Sequence, residues 1–250
     1  MKKKNIIDKL INREVIYQQG ISIDCVVFGF HDRTLKILLN KFNFFHKWML
    51  PLGFIEKDEN MDDAAYRILK KKTGLDNIYL YQFHAFGNTL RSKSQEQRDI
   101  LSKMGIDDGE HWLAQRFVSI GYYALVEYSK VNIKTNAGEE LRWFNINEIP
   151  SLYSDHNSII EKALSVIRSQ MRIIPAGYKL LPEKFPLSEL RIIYETILGR
   201  ELDRRNFQRK ILASGYLIKL DEIHRKTGRK PATLFSFDKE KCDKALQSII

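Results

Sequence analysis

The feature that most constrains this chain is the stretch WMLPLGFIEKDENMDDAAYRILKKKTGL, residues 48–75. Pro51 and Gly53 predict a tight loop. A helix is predicted to begin at Asn60 or Met61. Asp62 and Asp63 place negative charge near its positive N-terminal end, and Ala64, Ala65, Ile68 and Leu69 form an apolar stripe. Gly74 predicts the stop, in the left-handed conformation common just past a helix end. Lys70, Lys71 and Lys72 fill the last turn, where cations complement the helix dipole.

Gly53, Glu59, Arg67, Leu69, Gly74 and Leu75 stand at the spacing of the Nudix box, and the stretch resembles that family. The lead-in WMLPLGFIE is also similar, with Leu52 where a second glycine is common. In the family three glutamates follow the arginine and hold a divalent metal or act as base. Here Ile68, Lys71 and Lys72 occupy those places. A hard cation prefers carboxylate oxygens. An ammonium group instead repels it by roughly 4 kcal/mol per unit charge pair at about 4 Å and an effective dielectric of about 20. The resemblance implies a frame that keeps its loop and helix and has no catalytic residue, no metal and no cofactor.

Along the chain, residues 21–30 predict a buried strand and 35–39 its hairpin return, with His31, Asp32 and Arg33 at the turn. Residues 77–86, 117–128 and 140–145 predict further strands. Asp155 is expected to cap a helix reaching about Arg172, with Ile159, Ile160, Leu164 and Ile167 on one face. Hairpin-ordered strands with few helices predict an α+β architecture, and the Nudix resemblance implies a mixed sheet between helices. The connection from Gly87 to Arg116 is long enough to carry structure or function. Residues 95–104 predict a short amphipathic helix with Ile100, Leu101 and Met104 facing inward. The connection reads as a lid or specificity loop, or as a tolerated surface insertion.

A second unit follows. Residues 173–186 have the Pro and Gly content of a linker, giving an expected division into 1–172, 173–186 and 187–250. Residues 187–198 predict a helix ended by Gly199, and Asp203 predicts the cap of a second helix ended by Gly215. On that second helix Phe207, Ile211 and Leu212 form the buried stripe. Arg204 and Gln208 share one outer line, Arg205 and Arg209 the next. Strands at 216–220 and 233–237 flank a basic turn containing Lys226, Arg229 and Lys230, and a short helix closes the chain. This is the plan of a winged helix-turn-helix domain. Arg and Gln on an exposed helix can read base edges, and cations at a hairpin tip can reach phosphates. The net charge of +10 and pI of about 9.4 suit an anionic partner such as DNA. Each feature alone has a plainer meaning: a solvated basic face, an ordinary surface turn.

A degenerate Nudix domain followed by a winged helix resembles the Nudix-related transcriptional regulators. The phrases that carry this are YYALVEY, WFNINEIP, PAGYKLLPEKFPLSEL and DRRNFQRKILASG. The group includes repressors of NAD metabolism and regulators of arabinose and other sugar utilisation, and this sequence looks closer to the sugar-responsive members. The resemblance implies a homodimer on palindromic double-stranded operator DNA, controlled by a small-molecule effector: a pentose, a sugar phosphate or an ADP-ribose-like compound. The effector is expected near Trp48, Gly53, Glu56 and Arg67, with Lys41, His46 and His84 as polar contacts. A histidine on a strand is more commonly a structural residue, and Arg67 has Glu56 and Glu59 as candidate partners. The rival readings are an active Nudix hydrolase of a nucleoside diphosphate derivative, and a scaffold whose basic tail binds RNA or protein. Cys25 and Cys242 are too few for a disulfide framework or zinc site. With no leader-like start and no apolar run of about 20 residues, the expectation is a cytoplasmic protein that does not enter a membrane.

Overall fold

The computed structural model describes residues 16–76, 78–91, 95–106, 111–171, 175, 177–224 and 231–247. The first unit is a six-stranded mixed sheet in the order β4-β5-β1-β2-β6, with β3 also paired to β1. Its strands are β1 (Tyr17–His31), β2 (Thr34–Phe42), β3 (Leu52–Glu56), β4 (Tyr79–Phe86), β5 (Val118–Val126) and β6 (Glu139–Asn145). Among the described residues, the α-helices that accompany it are α1 (Met61–Thr73), α2 (Gln95–Lys103) and α3 (His156–Gln170). The β1–β2 turn puts Asp32 and Arg33 at φ 49° and 60°, the left-handed pair that lets a two-residue hairpin follow the strand twist.

The opening stretch differs from expectation at its start. Leu52–Glu56 is a strand rather than a loop, antiparallel to β1 through Asp24↔Leu52, Ile23↔Gly53 and Ser22↔Phe54. The reason lies in β2. It pairs with β1 from Phe28↔Ile37 to His31↔Thr34 and then runs on with β6 from Lys36↔Asn145 to Phe42↔Glu139. The edge of β1 that β2 leaves is taken by β3. The sheet therefore splits, and a crevice opens between the far end of β2 and the β1–β3 ribbon.

Strand alternation sends side chains to two separate cores. Ile23, Cys25 and Val27 of β1 meet Ala64, Ala65, Ile68 and Leu69 of α1 on one face. Val26, Phe28 and Phe30 meet Ile159, Ile160, Ala163 and Ile167 of α3 on the other. Helix α1 ends as expected at Gly74, whose φ is 69° and whose N–H donates to the Lys70 carbonyl. Asp155 precedes α3 but makes no side-chain cap. Its carboxylate is committed to Arg91 instead.

The second unit consists of β7 (Phe185–Pro186), α4 (Leu187–Leu198), α5 (Arg204–Ala213), β8 (Leu217–His224), β9 (Ala232–Phe237) and α6 (Lys239–Gln247), with the strands ordered β7-β9-β8. Gly199 and Asp203 punctuate its helices as expected: Gly199 has φ 67°, and Asp203 accepts the Asn206 N–H at 2.8 Å. The segment read as a linker is not a free tether. It buries Leu180, Leu181 and Phe185 in the same continuous core that holds α3 and α4. The basic turn with Lys226, Arg229 and Lys230 lies outside the described residues. The described residues contain no helix long and apolar enough to cross a membrane.

Candidate functional site

The split in the sheet holds a cavity of about 740 Å³. Gly53 and Arg67 from the opening stretch line it, with Ile68, Lys71 and Lys72 from α1. The insertion supplies one wall through Gln97, Ile100, Leu101 and Met104, so α2 turns inward the residues that its periodicity predicts. Gly53 is fixed by close approach: a Cβ there would stand 2.6 Å from Ile68 Cδ1.

Arg67 and Glu59 form a two-pronged charge-assisted pair. Arg67 Nε donates to Glu59 Oε1 at 2.6 Å, Nη2 donates to Oε2 at 2.6 Å, and Nη2 also donates to the Phe54 carbonyl at 2.9 Å. The Glu59 carboxylate further accepts the Glu56 N–H at 3.2 Å. The hydrogen bonds from Arg67 hold the Glu59 carboxyl below its ordinary range, and the bond to Glu59 raises the Arg67 guanidinium. This pairing ties β3 to α1. Glu56 stands 3.9 Å from Arg67 Nε and does not line the cavity.

Two buried ionic clusters were not expected from the sequence. Lys72, read as a cation at the helix end, turns inward and pairs with Glu139, which also accepts the Asn136 N–H at 3.2 Å. Asp24, in the middle of β1, receives Arg91 Nη2 at 2.6 Å and Ser119 Oγ at 2.5 Å. Arg91 Nε also reaches Asp155 Oδ1 at 3.1 Å. His156 accepts the Leu50 N–H on Nδ1 at 2.9 Å, which leaves Nε2 facing Asp24 at 3.7 Å. Burial would raise the Asp24 carboxyl, but His156, Arg91 and Ser119 outweigh it and hold it low. Burial pushes the His156 imidazole down. Through Arg91 the long connection is thus anchored both to the sheet and to the start of α3.

The other expected effector contacts do not meet at the cavity. Trp48 packs edge-on against Phe144 at 4.8 Å, with Lys41 5.7 Å from its ring. Its partners are on the α3 side, because Trp48 lies in the chain leading to β3 rather than in the crevice. His46 is exposed, and His84 stands exposed on β4 beside Phe86 at 4.8 Å. None of these four lines the cavity.

On the second unit, α5 buries Phe207 and Ile211, and Phe207 meets the Tyr194 ring of α4 at 5.4 Å. Leu212 is instead 39% exposed. Arg204, Arg205, Gln208 and Arg209 all face solvent. Arg209 Nη2 donates to Asn206 Oδ1 at 3.0 Å. The exposed face of α5 is the one that the four-residue spacing predicts.

Comparison with known proteins agrees with this architecture. Residues 18–163 match the NUDIX domain, and residues 177–237 match the NrtR DNA-binding winged helix domain. The chain is 29% identical over 224 residues to the ADPR responsive transcriptional repressor NtrR of Acinetobacter baylyi, covering 87% of this chain and 81% of that protein. The crystal structure of Shewanella oneidensis NrtR complexed with a 27mer DNA is 27% identical and superposes with a TM-score of 0.70, over 90% of this chain and 96% of that one. A MutT/nudix family protein from Enterococcus faecalis, 21% identical, shares the fold with a TM-score of 0.64 over 88% of each chain. The sugar-type branch favoured by the sequence does not appear among these relatives; an ADP-ribose-responsive one does. With the Nudix match spanning more than half of its length, this chain belongs to the Nudix family, in the form that carries an NrtR-type winged helix after the Nudix domain.

Proposed function

We propose that this protein is a ligand-responsive transcriptional repressor. In this reading residues 1–172 bind an effector, 187–250 bind operator DNA, and 173–186 join them. The observation that carries it is the exposed Arg204, Arg205, Gln208 and Arg209 face of a capped, docked helix. It sits in a chain similar along nearly all its length to a protein crystallised on DNA. The ADP-ribose response of the Acinetobacter baylyi relative supports an ADP-ribose-like effector over a pentose or a sugar phosphate. A homodimer on two half-sites follows from the winged-helix plan, and a cytoplasmic setting from a role on DNA. Gly53 and Arg67 belong to the effector's cavity wall, and Lys226, Arg229 and Lys230 to the wing's phosphate contacts.

The Nudix unit binds without hydrolysing. The positions of the family's three glutamates are held by Ile68, Lys71 and Lys72, and Glu59 is engaged by Arg67 on both oxygens. The test measures operator binding by fluorescence anisotropy with and without ADP-ribose, and ADP-ribose turnover in magnesium. Arg205→Ala with Arg209→Ala is expected to abolish the preference for operator over random DNA. Lys230→Ala is expected to weaken both alike and to lower the salt slope by about one. Unchanged operator affinity in the double variant removes α5 as the reading helix. Turnover that disappears in Glu59→Ala makes the protein an enzyme.

A further inference from the structure

Where the Nudix family pattern carries a divalent metal on the box helix, here α1, the residues present do not fit one. Ile68 is buried against Gly53. The two carboxylates lining the cavity, Asp24 and Glu139, are each already in an ion pair, with Arg91 and Lys72. Glu59 is held by Arg67. Among the described residues, no three His, Cys, Asp or Glu side chains stand close enough together to hold an ion.

Among the described residues, the cations that line the cavity are all in ion pairs but one. Arg67, Lys71, Lys72 and Arg91 line the cavity. Arg67 is paired with Glu59, Lys72 with Glu139, and Arg91 with Asp24 and Asp155. His156 is buried, with its imidazole pushed toward the neutral form. Lys71 is exposed; its charge adds to that of Arg67 in holding the Glu59 carboxyl low, but among the described residues it is in no direct ion pair. It stands one turn beyond Arg67 on α1, at a position where the family pattern carries a metal-binding glutamate. A substitution from carboxylate to ammonium there exchanges a site that must recruit a cation for one that already is a cation. Four-carbon reach and free rotation let the ammonium meet an oxyanion.

We propose that Lys71 binds the diphosphate of the effector directly, so that the cavity takes a nucleoside-diphosphate-type ligand on a fixed ammonium instead of a divalent metal ion. The proposal rests on the effector reading above and adds its chemistry. Repression would then respond to the ligand alone and not to the level of free magnesium. The apolar wall supplied by Met104, Ile100 and Leu101 gives the uncharged part of such a ligand a surface to cover.

Isothermal titration of the full-length protein with ADP-ribose tests this, in EDTA and in millimolar magnesium. Wild-type affinity is expected to be the same in both within about twofold, and Lys71→Ala to weaken it about tenfold in both. Lys71→Arg, which keeps the charge, is expected to retain it. Lys71→Glu is expected to lose more than Lys71→Ala in EDTA, through like-charge repulsion. Wild-type binding that requires magnesium overturns the proposal and leaves the effector reading standing. Equal affinity of Lys71→Ala and wild type overturns the role of Lys71 alone. Absence of ADP-ribose binding in either buffer overturns the effector reading and the proposal with it.

Discussion

The two faces of the Nudix sheet are built to different ends. The α1 face has a small local core, and beside it the sheet splits to leave a cavity. The α3 face continues into the second unit, beside a hollow of about 1440 Å³ lined by Tyr79 and Tyr81 of β4 and by Leu181 and Phe237. Its core runs from Val26 and Phe28 through α3 to Leu190, Ile193, Phe207 and Phe237 of the winged helix. One face therefore keeps a core of its own beside a hollow, and the other shares its core with the winged helix. Helix α3 belongs to both regions. His156 at its start lines the cavity, while Arg168 near its end donates from Nε to the Ile197 carbonyl at the end of α4. Helix α3 thus spans from the cavity to the winged helix, and packed helices shift as bodies rather than deform.

The largest expected effect is on the α1 face. In the Lys72–Glu139 pair the side chains are 11% and 0% exposed. Glu139→Gln leaves a buried ammonium without its carboxylate, a loss of about 3–5 kcal/mol, measured by urea unfolding. A loss below about 1 kcal/mol means that Lys72 escapes to solvent, and that the α1 face does not depend on this pair.

Equal deletions on the two faces sharpen the contrast. Leu69→Ala and Ile193→Ala each empty a fully buried site and are each expected to cost about 2–5 kcal/mol. Their calorimetric profiles should differ. Leu69→Ala moves one transition downward, whereas Ile193→Ala, inside the shared core, separates the melting of the winged helix from that of the Nudix unit. Identical profiles contradict the division into a local and a shared core. Arg168→Ala removes one hydrogen bond at the α3–α4 joint, at a cost of about 1 kcal/mol. It is expected to leave ADP-ribose affinity intact while reducing the change in operator affinity that ADP-ribose causes, read by anisotropy titration.

The helices were legible because their ends carry chemistry: Gly74, Gly199 and Asp203 sit where backbone geometry demands them. Strand β3 was not, since LGFIE is short, follows a proline and pairs only because β2 departs. The inward turn of Lys72 has a signal in the sequence. Lys72 stands four residues after Ile68 and three after Leu69, on the apolar stripe, while Lys71 stands off it. Asp24 also announced itself, as one carboxylate inside the apolar run ISIDCVVFGF. Its partner Arg91 did not, because a long connection has no periodicity to place a side chain. Trp48, Lys41 and His84 lie away from the cavity, and residue type near a motif does not say which way a side chain faces.

The smallest effect discriminates best between the cavity's buried charges. His156 has an ordinary value of 6.5, lowered by burial in the folded protein. Above that value both states are neutral and the group contributes its full stability. As pH falls below 6.5, the unfolded chain takes up a proton that the folded chain refuses, so stability drops until the lowered folded value is reached. The expected result is a decline in stability between about pH 7 and pH 6, bounded by the roughly 1.4 kcal/mol that one proton can contribute per pH unit. Asp24 acts in another window. Its carboxyl is also lowered, from 3.8, so its contribution persists above that pH and fades only below it. His156→Asn separates the two. The amide oxygen can accept the Leu50 N–H in place of Nδ1, and asparagine does not titrate. Thermal unfolding of this variant is expected to lose the pH 7 to pH 6 decline that His156 causes while keeping the acid loss below 3.8. If the decline near neutrality survives unchanged, it originates away from the start of α3.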